Sequence, residues 1–172
     1  INVRGIEIAW VEWIMLFRSE TRFAMVSQDL SQQYCTFQLD DLVFGVEVLK
    51  VQEVLLQQAM TRVPLAPPLV KGLMNLRGQI VPSLDLRERL NLPPVSDKVP
   101  MNVVVSTDDG PVSLMVDQIG DVVEIDVEQF EPTPQTVQGI TRHIIKGVCK
   151  LKDRLLLILD VERAVTLEPE AV

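Results

Sequence analysis

Gly72–Leu86, GLMNLRGQIVPSLDL, falls on Gly147–Val161, GVCKLKDRLLLILDV, when the chain is laid over itself with a shift of 75 residues. Gly72 meets Gly147, Leu76 meets Leu151, Leu84 meets Leu159 and Asp85 meets Asp160. Upstream, VEVLKVQEV (Val46–Val54) resembles LMVDQIGDV (Leu114–Val122) at a shift of 68. Two copies of one unit are implied. Each reads as strand, strand, a loop with prolines, then a hairpin whose second strand runs into a short helix with Asp as its N-cap.

Working outward from the repeat, the dominant period from Tyr34 onward is two, the signal of strands. The alternation is partial in Val43–Val48 and gives way to a short apolar run at Met101–Val105, as in a strand buried on both faces. Turn residues punctuate the runs at Asp40-Asp41, Arg77-Gly78, Asp108-Asp109-Gly110 and Lys152-Asp153. Short helical patterns are expected at Asp85–Leu90, about Asp126–Phe130, and Asp160–Val165. The expected class is mainly β with short helices. Copies of about 65 residues are small for β units, so they are expected to close as little barrels and bury a face against each other. The expected division is an extension over 1–29, subdomains over 30–94 and 95–166, and a tail over 167–172, with the boundary at Pro94–Pro100.

Composition narrows the function. The chain has 172 residues, with 16 Lys and Arg against 24 Asp and Glu, a formal charge of −8. Nucleic-acid affinity draws on a basic excess and, for single strands, on stacking aromatics; this chain is acidic and has only two Trp, one Tyr and five Phe. Nucleic acid is therefore not an expected partner. His143, Cys35 and Cys149 are too few for a structural zinc site, which needs four ligands. The eight glycines form neither G-x-G-x-x-G nor a Walker loop, so no nucleotide or other cofactor is expected. Two cysteines 114 positions apart fit a reducing compartment, and the cytoplasm is the expected location.

The apolar stretch Ile6–Phe17, IEIAWVEWIMLF, has twelve residues, among them Glu7 and Glu12. A membrane-spanning helix needs about 20. It also lacks the charge pattern and cleavage site of a secretory signal, so no direct membrane insertion is expected. Met25 followed by VSQDLSQQ reads as an ordinary N-terminus, which makes residues 1–24 either an extension outside the domain or an amphipathic segment that docks on this protein or a partner.

The segments FQLDDLVFGVEVLKVQEVL, RVPLAPPLVKGLMNLRGQIVPSLDLRERL, VSLMVDQIGDVVEI and GVCKLKDRLLLILDV together closely resemble the CheW family, the coupling proteins of bacterial chemotaxis. The resemblance covers about Tyr34–Val165, and NLRG-x-IVP at Asn75–Pro82 is its most specific part. It implies two packed five-stranded SH3-like barrels. It implies, too, a non-catalytic adaptor joining the cytoplasmic tips of methyl-accepting chemoreceptors to the regulatory domain of the histidine kinase CheA. CheA-like and CheV-like proteins carry such a domain beside a kinase or receiver module, for which there is no room here; a standalone CheW-like protein is expected. An adaptor of a non-flagellar pathway, such as pilus motility, reads the same way.

In this family the arginine matching Arg77, with neighbours matching Gly72, Asn75 and Gly78, belongs to the surface that couples receptor and kinase. The resemblance implies, too, that Val51 and Glu53 match positions lying on the family's partner-binding surface of the first barrel. The residues themselves leave more open. An Arg on a rigid turn suits an interface because its planar fork takes a carboxylate or carbonyl at two points, though most turn charges are simply solvated. By alternation alone Val51 reads equally as core and Glu53 as a solvated strand residue. Ile119 and Asp121 stand at the second-copy equivalents, and Lys152-Asp153 replaces Arg77-Gly78, so the copies are expected to have different jobs. Cys149 with His143 would suit a thiol hydrolase only if a base and an electropositive setting surround the thiol; a buried structural Cys is the expected reading. Asp85 and Asp160 are expected as N-caps, not as an acid–base pair.

Overall fold

The computed structural model describes residues 31–94, 99–135, 137, 139–152 and 154–167. The first copy runs β1 (Ser31–Leu39), β2 (Leu42–Glu47), a 3-10 turn (Val48–Lys50), β3 (Val51–Leu56), β4 (Val70–Leu76), β5 (Gln79–Asp85) and α1 (Leu86–Arg89). The second runs β6 (Met101–Thr107), β7 (Gly110–Val116), β8 (Gln118–Asp126), a 3-10 turn (Val127–Gln129), β9 (Phe130–Glu131), α2 (Ile140–Ile144), β10 (Ile145–Lys150), β11 (Leu155–Leu159) and α3 (Val161–Val165). The helix expected near Asp126–Phe130 is only that 3-10 turn, closed by a capping box in which Asp126 and Gln129 serve each other's backbone. Helix α2 was not legible, because ITRHI is too short to show a period. Residues 1–24, with the expectations placed on them, lie outside the described residues, as does Asp153 of the Lys152-Asp153 turn.

Two sheets form, in the orders β8-β1-β2-β11-β10-β9 and β3-β6-β7-β5-β4. The class is mainly β, two packed barrel-like sheets with short helices, and β9 adds a sixth strand to the first sheet. The repeat is exact in register. Parallel β5 and β7 pair Ser83 with Ser113; parallel β11 and β2 pair Ile158 with Gly45, the same positions under the shifts of 75 and 68. The bulge between Val70 and Gly72 on β4 recurs between Ile145 and Gly147 on β10.

The copies, however, are exchanged. Strands β1 and β2 of the first copy complete a sheet with β8, β10 and β11 of the second, while β6 and β7 complete the other with β3, β4 and β5. The expected division of the chain into 30–94 and 95–166 thus separates the two copies but not the two sheets. The swap occurs at two crossovers, Val48–Lys50 between β2 and β3 and Asp117 between β7 and β8. Alternation and repeat length are local signals and carry no information about which copy a strand pairs with.

The main core lies between the sheets. Phe37, Phe44, Val46 and Leu157 from the first meet Val51, Val54, Val103 and Leu114 from the second, with Leu86, Leu90, Val161 and Ala164 from the helices α1 and α3 and their ends. Phe37 and Phe44, opposite each other in the β1–β2 register, stack with ring centroids 5.6 Å apart. Smaller clusters fill the other face of each sheet, Tyr34, Cys149, Leu156 and Ile158 in one and Met74, Val81 and Val104 in the other. Burial on both faces explains the unbroken apolar runs VVV at Val103–Val105 and LLIL at Leu156–Leu159. The expected N-caps are in place: Asp85 accepts from the Arg87 N–H at 2.9 Å and Asp160 from the Arg163 N–H at 3.2 Å.

Candidate functional site

The β4–β5 hairpin closes on Leu76 opposite Gln79, leaving Arg77-Gly78 as a two-residue turn. Both turn residues have positive φ, 52° at Arg77 and 87° at Gly78. A tight hairpin turn of the primed kind demands this, because only that backbone twist matches the right-handed twist of the strands. Gly78 meets the demand without cost, whereas a left-handed Arg costs about 1–2 kcal/mol. Asn75 supports the turn, its Oδ1 accepting the Gly78 N–H at 2.8 Å. An arginine held at the position where Asn or Gly would be favoured is strain retained at a surface site.

The Arg77 side chain is 69% exposed, and its Nη2 donates to Glu53 Oε1 at 2.7 Å; Glu53 is only 13% exposed. Four of the six expected residues, Glu53, Asn75, Arg77 and Gly78, are thus brought together on one rim of the second sheet. Ile80, next to the turn on β5, adds exposed apolar surface. The other two lie inside. Val51 belongs to the main core, so its side chain is not presented to a partner. Gly72 is buried where the 57–69 loop crosses β4: Thr61 and Leu73 exchange two backbone hydrogen bonds of 2.8 Å, and a β-carbon on Gly72 would stand 2.7 Å from the Thr61 oxygen.

At Asp121, the second-copy equivalent of Glu53, Thr36 donates to the backbone carbonyl at 2.6 Å. Cys149 is buried on β10, and burial, with Glu131 adding, pushes its thiol up, the reverse of what activates a nucleophile. His143 is on the exposed face of α2.

Sequence reasoning missed a buried charge cluster. Arg87 on α1 forks onto Asp117, Nε to Oδ1 at 2.6 Å and Nη2 to Oδ2 at 2.5 Å, with side chains only 9% and 8% exposed. Its Nη1 donates to the Pro93 carbonyl, and Asp40 lies 3.8 Å away. The hydrogen bonds to Asp117, against the cost of burial, raise the guanidinium further above its ordinary value. A signal existed in the repeat, since Arg87 stands where the second copy has Glu162.

These features define a scaffold of two interlocked barrels carrying a charged rim on a rigid hairpin. Residues 33–168 match the family of CheW-like domains, and the chain belongs to that family. It is 30% identical over 149 residues to the chemotaxis protein CheW of Klebsiella aerogenes, covering 86% of this chain and 90% of that one. It is 32% identical over 131 residues to the chemotaxis protein CheW of Bacillus subtilis, covering 75% and 83%. Among solved structures, the scaffolding protein TtCheW from Thermoanaerobacter tengcongensis is similar with a TM-score of 0.69 and 28% identity, over 74% of this chain and 88% of that one.

Proposed function

We propose that the chain is a non-catalytic chemotaxis adaptor that couples methyl-accepting chemoreceptors to the histidine kinase CheA, holding the receptor's cytoplasmic tip and the kinase's regulatory domain in one signalling complex. The observation that carries this reading is the exposed Arg77 guanidinium, fixed on a strained two-residue turn and tethered to Glu53. A pre-organised Arg loses little freedom on binding and can engage a partner carboxylate or carbonyl through the donors that Glu53 leaves unused. Glu53, Asn75, Arg77 and Gly78 form the contact rim, with Val51 and Gly72 as its support.

An adaptor needs no chemistry of its own. Receptor bias reaches the kinase as a coupling free energy between two bound partners, and several weak contacts within one array gain by effective concentration. The protein works in the cytoplasm and reaches membrane receptor arrays through its partners; among the described residues no helix is long and apolar enough to cross a membrane. Calorimetric titration of the full chain into the regulatory domain of its kinase tests the reading. Saturable binding that weakens in Arg77→Glu supports it, and absence of binding by a folded chain to both kinase domain and receptor tip overturns it.

A further inference from the structure

The repeat places a second ion-paired clamp opposite the Arg87–Asp117 pair. Under the shifts of 75 and 68, Arg87 maps to Glu162, Asp40 to Asp108, and Asp117 to Leu49, one residue before Lys50. Glu162 on α3 pairs through Oε1 with Lys50 Nζ at 3.2 Å, and its Oε2 accepts the Asp108 N–H at 3.4 Å. In the first clamp it is Asp117 that accepts the corresponding turn N–H, from Asp40 at 2.9 Å. Each strand-exchange crossover is therefore held by a pair from the helix that follows the last strand of a copy. The polarity is reversed, and in both a carboxylate satisfies the turn N–H.

The clamps differ in burial. The Arg87 and Asp117 side chains are 9% and 8% exposed, those of Lys50 and Glu162 31% and 36%. A half-exposed pair is screened and weak, while a buried forked pair yields only by stranding a charge. Lys50 is also three residues before Glu53, and the bulge between Val51 and Glu53 lies between them. Bulges set where the following side chain points. Glu162 holds both strands at one end of the antiparallel β3–β6 pairing, Lys50 ahead of β3 and Asp108 after β6, from a helix that continues the other sheet.

Building on the adaptor reading, we infer that Lys50 and Glu162 are positioning residues for the Glu53–Arg77 rim: their pair is the yielding crossover, through which the placement of the first sheet sets the aim of Glu53, while Arg87–Asp117 is the fixed one. The inference names a regulatory link inside the proposed coupling surface. The test uses the full chain with Lys50→Glu, Glu162→Lys and the double reversal, read by amide exchange over residues 48–56 and by receptor-dependent kinase activity in a reconstituted mixture. Each single reversal is expected to speed exchange over 48–56 about threefold, the scale of a half-exposed pair, and to lower receptor-dependent activity. The double reversal restores the charge pair, though not the acceptor for the Asp108 N–H, and recovers part of both. Glu162→Gln, which keeps the side-chain shape, gives the same acceleration if either charge reversal fails to fold. Exchange unchanged in the single variants, or no slower in the double than in the singles, overturns the inference. A wild-type chain that supports no receptor-dependent activity overturns the adaptor reading instead, and the exchange measurement then decides the positioning role by itself.

Discussion

Glu53 and Arg77 join the two ends of the second sheet. Glu53 lies on β3, at one end of the order β3-β6-β7-β5-β4, and Arg77 on the turn leaving β4, at the other, yet Oε1 and Nη2 are 2.7 Å apart. The sheet has curled until its edges meet, and the ion pair bridges that seam. The charged rim is thus a product of closure: the family resemblance names these residues, and the barrel brings them into contact.

Arg77→Asn separates the fold from the function. Asn is favoured at positive φ in this turn, but the substitution also leaves the 13%-exposed Glu53 carboxylate without its partner, so the two effects offset and stability should stay within about 1 kcal/mol of the wild type in urea unfolding. Binding to the kinase domain or receptor tip should fall in the same variant. A variant as stable as expected that binds like the wild type would remove Arg77 from the coupling surface.

Gly72 and Gly78 are both glycine for different reasons, and alanine tells them apart. At Gly72 a methyl group would press on the Thr61 carbonyl, and Gly72→Ala should cost about 1–3 kcal/mol and release the 57–69 loop to proteolysis. At Gly78 there is open space, but φ is 87°, so Gly78→Ala should cost about 1 kcal/mol without loosening that loop. Limited proteolysis beside urea titration distinguishes the two.

Arg87→Met strands the Asp117 carboxylate in the interior and should cost about 3–5 kcal/mol. Arg87→Met with Asp117→Leu removes both charges and should recover at least half of that. Failure of the double variant to recover would mean that the hydrogen bonds to Pro93 and Asp40, not the charge pair, hold the crossover.

The chain has one tyrosine, so its ionisation can be followed alone by ultraviolet absorbance. Burial first, then Glu47 and Cys149, push Tyr34 from 10.0 up to about 12, and burial pushes the Cys35 thiol from 9.0 up to about 11. The unfolded chain loses these protons first as pH rises, so their contribution is complete below pH 9 and lost on the way to about 12. Urea midpoints should be flat from neutrality to pH 9 and fall above it, with phenolate appearing only near 12 or together with unfolding. A tyrosine titrating near 10 in the folded chain would contradict its burial.

The repeat by itself determined the local geometry of each copy. Asp85 and Asp160 cap helices and Arg77-Gly78 turns a hairpin, because caps and turns depend on residues within a few positions of one another. Only the tertiary structure decided which copy each strand joins, that Val51 is core, that Glu53 meets Arg77, and that Arg87 is buried on Asp117. Two copies with the same alternation offer their strands equally to themselves and to each other. The choice rests on packing and on crossovers between residues far apart in the chain, which no local pattern records.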